Sequence, residues 1–237
     1  MAAPINITDL LGCGNKLFFT FYPLNLKIEK MKEGEFNLKK EIKIVEGRPK
    51  DAYHFSNLME ISASSLFPAV FGHEFKTILE NLFREKKNLF SFEHTHMAKL
   101  GDETVGMLLG YDWRIKRKEE INTGRLIIRY MKFEFIKRLP LFLKLNSIVG
   151  YLKEGEFYIS NIAVYPEYRG MGIGTILLNF IEETESKNIK KLTLDVETKN
   201  EGAIRLYKRL GFTISGKVST KLKGITFEFF RMEKILL

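Results

Sequence analysis

The stretch Arg169-Gly170-Met171-Gly172-Ile173-Gly174-Thr175 sets one fixed cation beside three alternate glycines, just ahead of an apolar helical stripe. Glycine carries no Cβ and tolerates positive φ, so successive backbone N–H groups there can converge on one point. A helix opening at that place adds its own unsatisfied donors and partial positive charge. The chemistry predicted is capture of a diphosphate, with Arg169 supplying charge-assisted bonds nearby. Two other phosphate loops fit less well. A dinucleotide loop needs Gly-x-Gly-x-x-Gly with an acidic residue about 20 positions later, and the last glycine here is misplaced. A triphosphate loop ends in Gly-Lys-Ser/Thr, and no lysine precedes Thr175. A glycine turn that serves only close packing is the remaining reading.

Farther along, Asp195 interrupts Leu192-Thr193-Leu194-Asp195-Val196, a short run with the look of a buried strand. Alternation puts Leu192, Leu194 and Val196 on one face, with Thr193, Asp195 and Glu197 on the other. A carboxylate in that setting needs a partner or a task, since burying it unpaired is costly. It can be a base, with Glu156 and Glu197 as rivals, or a structural carboxylate bonded to backbone or to Lys199. Tyr207 lies in the helical stripe Ala203-Leu206-Tyr207-Leu210, opened by Asn200 as an N-cap and closed by Gly211. Its hydroxyl can donate a proton at neutral pH, or its ring can simply belong to the core. His94 and His96 share a strand face without a third ligand at suitable spacing, so no metal site is expected.

Arg169-x-x-Gly172-x-Gly174, preceded by Asn161-Ile162-Ala163-Val164-Tyr165-Pro166, resembles the acyl-CoA signature of the GNAT N-acetyltransferase superfamily. Asn200-x-x-Ala203-x-x-Leu206-Tyr207-x-x-Leu210-Gly211-Phe212 resembles its second signature. In pattern the chain is most similar to the branch that acetylates ribosomal-protein alanine. The resemblance implies an α/β (α+β) fold with a mixed, splayed central sheet flanked by helices. It implies acetyl-CoA as co-substrate, with pantetheine in the opening of the sheet, paired to the strand carrying Ile162 and Val164. The diphosphate would sit on Arg169, Gly170, Met171, Gly172, Ile173, Gly174 and Thr175, and Asn200 would contact the cofactor. A backbone N–H near Val164, freed by a bulge, would hold the oxyanion. Tyr207 would protonate the leaving thiolate, and Asp195 would deprotonate the amine, standing where the branch has a longer glutamate. A water relay then completes its reach.

These groups need elements to carry them. Residues 157–165 form a nearly continuous apolar run, as in a strand covered on both faces. Ile173, Ile176, Leu177, Phe180 and Ile181 keep helical spacing. Residues 192–196 are a second buried strand, and 213–219 with 225–233 a closing hairpin. Upstream, a strand is expected at Ile42 and Ile44, helices over 52–62 and 74–86, and strands over 91–99 and 104–111. Residues 112–155 break this rhythm and predict two helices separated at Pro140, inserted between the third and fourth core strands. They serve as a cap or as a lid that shapes the acceptor site. Residues 1–40 read as an N-terminal extension to an acetyltransferase domain over 41–237.

Composition narrows the partners. A chain of 237 residues with 45% hydrophobic and 28% charged residues can bury a sizeable core. Cys13 is the only cysteine, which excludes a disulfide framework and an acetyl-cysteine intermediate in the core, and favours the cytoplasm. Net charge is +9, and residues 112–155 contribute +6 of it, from 11 Lys or Arg against 5 Asp or Glu. That suits an anionic partner. No RNA-binding signature is present, so no nucleic acid is expected. No apolar run reaches the roughly 18 residues of a membrane span. Only Lys16 precedes the apolar stretch 17–22, so a secretory leader is not expected. The expected activity is direct acetyl transfer to a primary amine: a protein N-terminus, a lysine or a small amine. The alternative is a non-catalytic acyl-CoA-binding module, which would not need Tyr207 or Asp195.

Overall fold

Alternation of side chains decides the layering. In β2 (Thr95–Leu100) and β3 (Glu103–Asp112), Met97, Met107 and Leu109 enter one apolar cluster, while Ala98, Val105 and Leu108 enter another on the opposite face. A sheet buried on both faces needs helices on both sides. The computed structural model describes residues 42–146, 150–222 and 225–236, and supplies them. The expected extension over residues 1–40 lies outside the described residues.

One face is covered by α1 (Ala52–Ser62), α2 (Leu66–Phe71), α3 (Phe75–Arg84) and α4 (Trp113–Met131), which contributes Ile127 and Met131. The other is covered by α6 (Ile173–Glu185), through Ile173, Leu177 and Ile181, and by α7 (Glu201–Arg209), through Tyr207. The chain numbers allow one further helix between these groups, α5 (Phe133–Asn146). With β1 (Ile42–Glu46), β4 (Glu156–Val164), β5 (Lys191–Glu197), β6 (Thr213–Leu222) and β7 (Ile225–Ile235), the described residues form a seven-stranded sheet ordered β1-β2-β3-β4-β5-β7-β6. The β4–β5 pair is parallel, its neighbours antiparallel. This is the mixed sheet the family resemblance implies, with a helical insertion between the third and fourth strands.

Several boundaries differ from expectation. The two inserted helices part at Lys132, with φ 50°, and Pro140 sits inside α5. Proline removes one helical donor, yet Pro140 and Ile136 both face solvent, which leaves the released carbonyl open to water. The strand expected from Ser91 starts at Thr95, because Ser91 caps a short turn by accepting from Glu93 N at 3.1 Å. Helix α2 was not foreseen: six residues with Pro68 in their midst show no period.

A cleft between diverging strands

Strands β4 and β5 pair only from Glu156 opposite Lys191 to Ile159 opposite Leu194. Beyond that, β4 stays bonded to β3 and β5 to β7, so the two diverge and each exposes a free edge. Parity identifies which groups look into the gap. Tyr165 N donates to Val105 O at 3.0 Å, in register with Gly106 opposite Val164. Hydrogen-bonded and non-bonded pairs alternate along an antiparallel ladder. Asn161 and Ala163 therefore turn their backbone groups to β3, while Ile162 and Val164 turn N–H and C=O into the gap. The gap is a cleft of about 810 Å³.

The expected bulge is present but displaced. Leu109 faces Asn161 and Gly110 faces Ile159, which leaves Ser160 as the extra residue, four positions before Val164. At Val164 the ladder is regular, so its free amide comes from strand alternation rather than from a bulge. Gly110 permits the irregularity: a Cβ there would lie 2.5 Å from the Phe157 ring.

At the far end of β4 the chain turns through Tyr165 to Gly172 into α6. Gly172 is the N-cap with φ 79°, a conformation that suits glycine. The first helical bond runs from Ile176 N to Gly172 O at 3.0 Å. The N–H groups of Ile173, Gly174 and Thr175 thus have no helical acceptor and carry the positive end of a 13-residue helix. Arg169, Gly170, Gly172, Ile173, Gly174 and Thr175 all line the cleft. Met171 does not; it packs on the apolar cluster beneath α6. The Arg169 Nε donates to Val164 O at 3.4 Å, across the end of the gap.

Helix α7 supplies the opposite wall. Asn200 caps it, its Oδ1 accepting from Ala203 N at 3.1 Å, and Asn200 also lines the cleft. Tyr207 belongs to the core and also reaches the cleft. Its ring is buried against Phe212, with centroids 5.8 Å apart, and the residue also lines the cleft. Burial pushes its phenol well above the ordinary tyrosine range, which keeps the proton on the oxygen.

The carboxylates separate clearly. Asp195 lines the cleft with a side chain only 2% exposed, and its Oδ2 accepts from Gly150 N, Tyr158 Oη and an Arg231 N–H, each at 3.0 Å. Arg231 also donates to Tyr151 O. Glu156 lies off the cleft, bonded to Lys191 at 3.1 Å and to Lys153 N at 2.9 Å. Glu197 lines the cleft half-buried, with no side-chain partner among the described residues. Sequence reasoning missed Arg231, although a lone cation in Phe227-Glu228-Phe229-Phe230-Arg231-Met232 signals a buried partner. Among the described residues no cluster of metal-ligating side chains occurs. His94 instead bonds Glu119 at 2.7 Å.

The chain resembles known proteins in sequence and in fold. The model of the Acetyltransferase (GNAT) family matches residues 57–212, about two-thirds of the chain. A segment of 58 residues, 24% of this chain, is 43% identical to the ribosomal protein bS18-alanine N-acetyltransferase of Escherichia coli and spans 39% of it. Over 68 residues, 28% of this chain, identity is 47% to an uncharacterized N-acetyltransferase of Methanocaldococcus jannaschii, of which 30% is covered. The chain thus spans less than half the length of these curated relatives. An N-acetyltransferase from Staphylococcus aureus superposes with a TM-score of 0.59 at 20% identity, over 81% of this chain and 99% of that one, a likeness of fold.

Proposed function

Because the chain belongs to the GNAT acetyltransferase family, we propose that its cleft transfers an acetyl group from acetyl-CoA directly to a primary amine. One observation carries this reading. The unpaired backbone groups of Ile162 and Val164 on β4 run straight into the free N–H groups at the start of α6. A ligand with amides along its length and a diphosphate at its end matches that row of donors and acceptors. Arg169 adds charge beside the diphosphate, and the Nδ2 of Asn200 is available to the cofactor.

The amine attacks the thioester carbonyl as a neutral nucleophile, forming the N–C bond. The oxygen that gains charge is held by a β4 backbone N–H, at Ile162 or Val164. When the C–S bond breaks, Tyr207 gives its proton to the departing sulfur. The amine proton leaves through Glu197, the cleft carboxylate with no other partner. Asp195, with one oxygen already holding three donors, acts as a positioning residue that fixes Tyr158 and the start of the 150–155 loop.

Calorimetry with CoA and acetyl-CoA, paired with thiol release across a panel of amines, tests this assignment. Gly172→Glu sets a carboxylate on the anion seat in a backbone conformation side chains resist, and should weaken CoA binding at least tenfold. A folded Gly172→Glu protein that binds CoA like the wild type defeats the reading. Use of a soluble thioester and a lone cysteine suit the cytoplasm. Among the described residues no helix is long and apolar enough to cross a membrane.

A further inference from the structure

A second cavity, of about 360 Å³, lies beneath the inserted helices α4 and α5. Val70 and Phe71 of α2, Ile127 of α4, and Phe135, Leu139 and Phe142 of α5 wall it. It shares Leu66, Phe67, Phe90 and Ser160 with the main cleft, so the two spaces are neighbours across common walls. Ser160 is the bulged residue of β4 and stands two positions before Ile162, whose amide faces the gap between β4 and β5. At strand rise those two residues are about 7 Å apart. A group in the second cavity is therefore a few bonds from an amine at the thioester.

The polar atoms around this cavity are engaged with the protein. The Lys116 ammonium donates to Gly150 O, and Glu120, one turn on, balances its charge. Thr123 Oγ1 donates to Glu119 O at 2.9 Å and accepts from Leu89 N at 2.9 Å. What the cavity offers a visitor is mainly aromatic and aliphatic surface. A charged or strongly hydrated group would lose its water there and gain little.

We propose, resting on the acetyltransferase reading above, that this cavity is the acceptor's side-chain pocket and that the substrate is a primary amine bearing a bulky apolar group two or three bonds away. An arylalkyl amine and a peptide N-terminus with an apolar leading side chain share that chemistry. The pocket is a product of the insertion: without α4 and α5, half of its wall is missing.

Gly124 provides the test. Glu120, Thr123, Gly124 and Ile127 all line the cavity at the spacing of one helix face, and a Cβ built on Gly124 meets nothing within 4 Å. The first atom of a side chain there therefore enters open space, and alanine, leucine or phenylalanine favours the helix over glycine. The series Gly124→Ala, Gly124→Leu and Gly124→Phe in the full chain is assayed by thiol release. The acceptors are phenethylamine, ethanolamine, a peptide beginning Phe-Leu and one beginning Ser-Glu.

The wild type should favour the apolar member of each pair by at least tenfold in kcat/KM, as burial of one large side chain predicts. The series should erase that preference progressively. Gly124→Phe should cost apolar acceptors tenfold or more while ethanolamine turnover and CoA affinity stay within about twofold of the wild type. A preference for phenethylamine alone identifies a small amine as the source, and one for the Phe-Leu peptide an N-terminus; both support the pocket. Equal rates for polar and apolar acceptors, or apolar rates untouched by a folded Gly124→Phe protein, overturn it while leaving acetyl transfer intact. Failure to bind CoA, or binding without turnover of any amine, instead removes the catalytic reading on which the pocket rests.

Discussion

In the proposed mechanism Tyr207 and Glu197 divide the proton traffic, and pH separates their roles from that of Asp195. Burial raises the phenol's pKa, so the acid form persists through the alkaline range. The acceptor must shed its proton before attack. kcat/KM for the amine should therefore climb with pH and level off, with no descending limb from Tyr207 below about pH 10. Tyr207→Phe should lower kcat by roughly a hundredfold at unchanged CoA affinity, read by steady-state kinetics beside calorimetry. A full-rate Tyr207→Phe enzyme removes the acid from the scheme. Asp195→Asn tests the other assignment. Weakening the bond to a largely buried Arg231 should lower stability by about 2 kcal/mol, visible as a drop of several degrees in Tm. The ascending pH limb should keep its position in both Asp195→Asn and Glu197→Gln, whereas Glu197→Gln alone should lower kcat/KM for the amine throughout the profile. Asp195 was conspicuous in the sequence, but its partners Gly150 and Arg231 stand 45 and 36 positions away. A single sequence can mark Arg231 as needing a buried partner but does not say which carboxylate it is, which is why a base and a structural carboxylate looked alike.

At the level of elements, the strands and helices that hold the cleft were legible because each carries its own period or cap. β4 and β5 are apolar runs, α6 keeps one apolar stripe, and Asn200 marks where α7 begins. The insertion was legible as two helices, but not what they enclose. Its break falls at Lys132 because a positive φ ends α4, and the enclosing contacts join residues far apart in the chain. Helix α4 is moored by polar contacts no periodicity reveals. Glu119 takes a bond from His94 at 2.7 Å, both largely buried, and Asn122 donates to Lys87 O at 2.9 Å. Glu119→Ala leaves His94 without that partner and should cost about 2 kcal/mol in urea unfolding. If α4 shapes the acceptor pocket, the same change should raise KM for the amine and leave KM for acetyl-CoA near its original value. Equal effects on both would mean that α4 supports the whole sheet instead.

Across the whole molecule, charge and site are arranged differently. The proposed diphosphate seat is built from backbone amides with one flanking arginine, whereas most of the excess charge lies in the insertion. On the outward face of α4, Arg114, Lys118 and Arg125 follow one another at spacings of four and seven residues, all exposed. Backbone donors at short range set how long an anion stays, while a net charge of +9 acts at long range on how often it arrives. Salt should then discriminate between the two. Raising ionic strength from about 0.02 M to about 0.3 M contracts the Debye length severalfold. Stopped-flow measurement should show CoA association slowing by several-fold while dissociation changes little. Lys118→Gln combined with Arg125→Gln should flatten that salt dependence without altering the dissociation rate, since neither side chain lines the cleft. If dissociation rather than association responds to salt, the anion is held chiefly by mobile side-chain charge such as Arg169. The row of amides from Ile162 to Thr175 would then be secondary in binding.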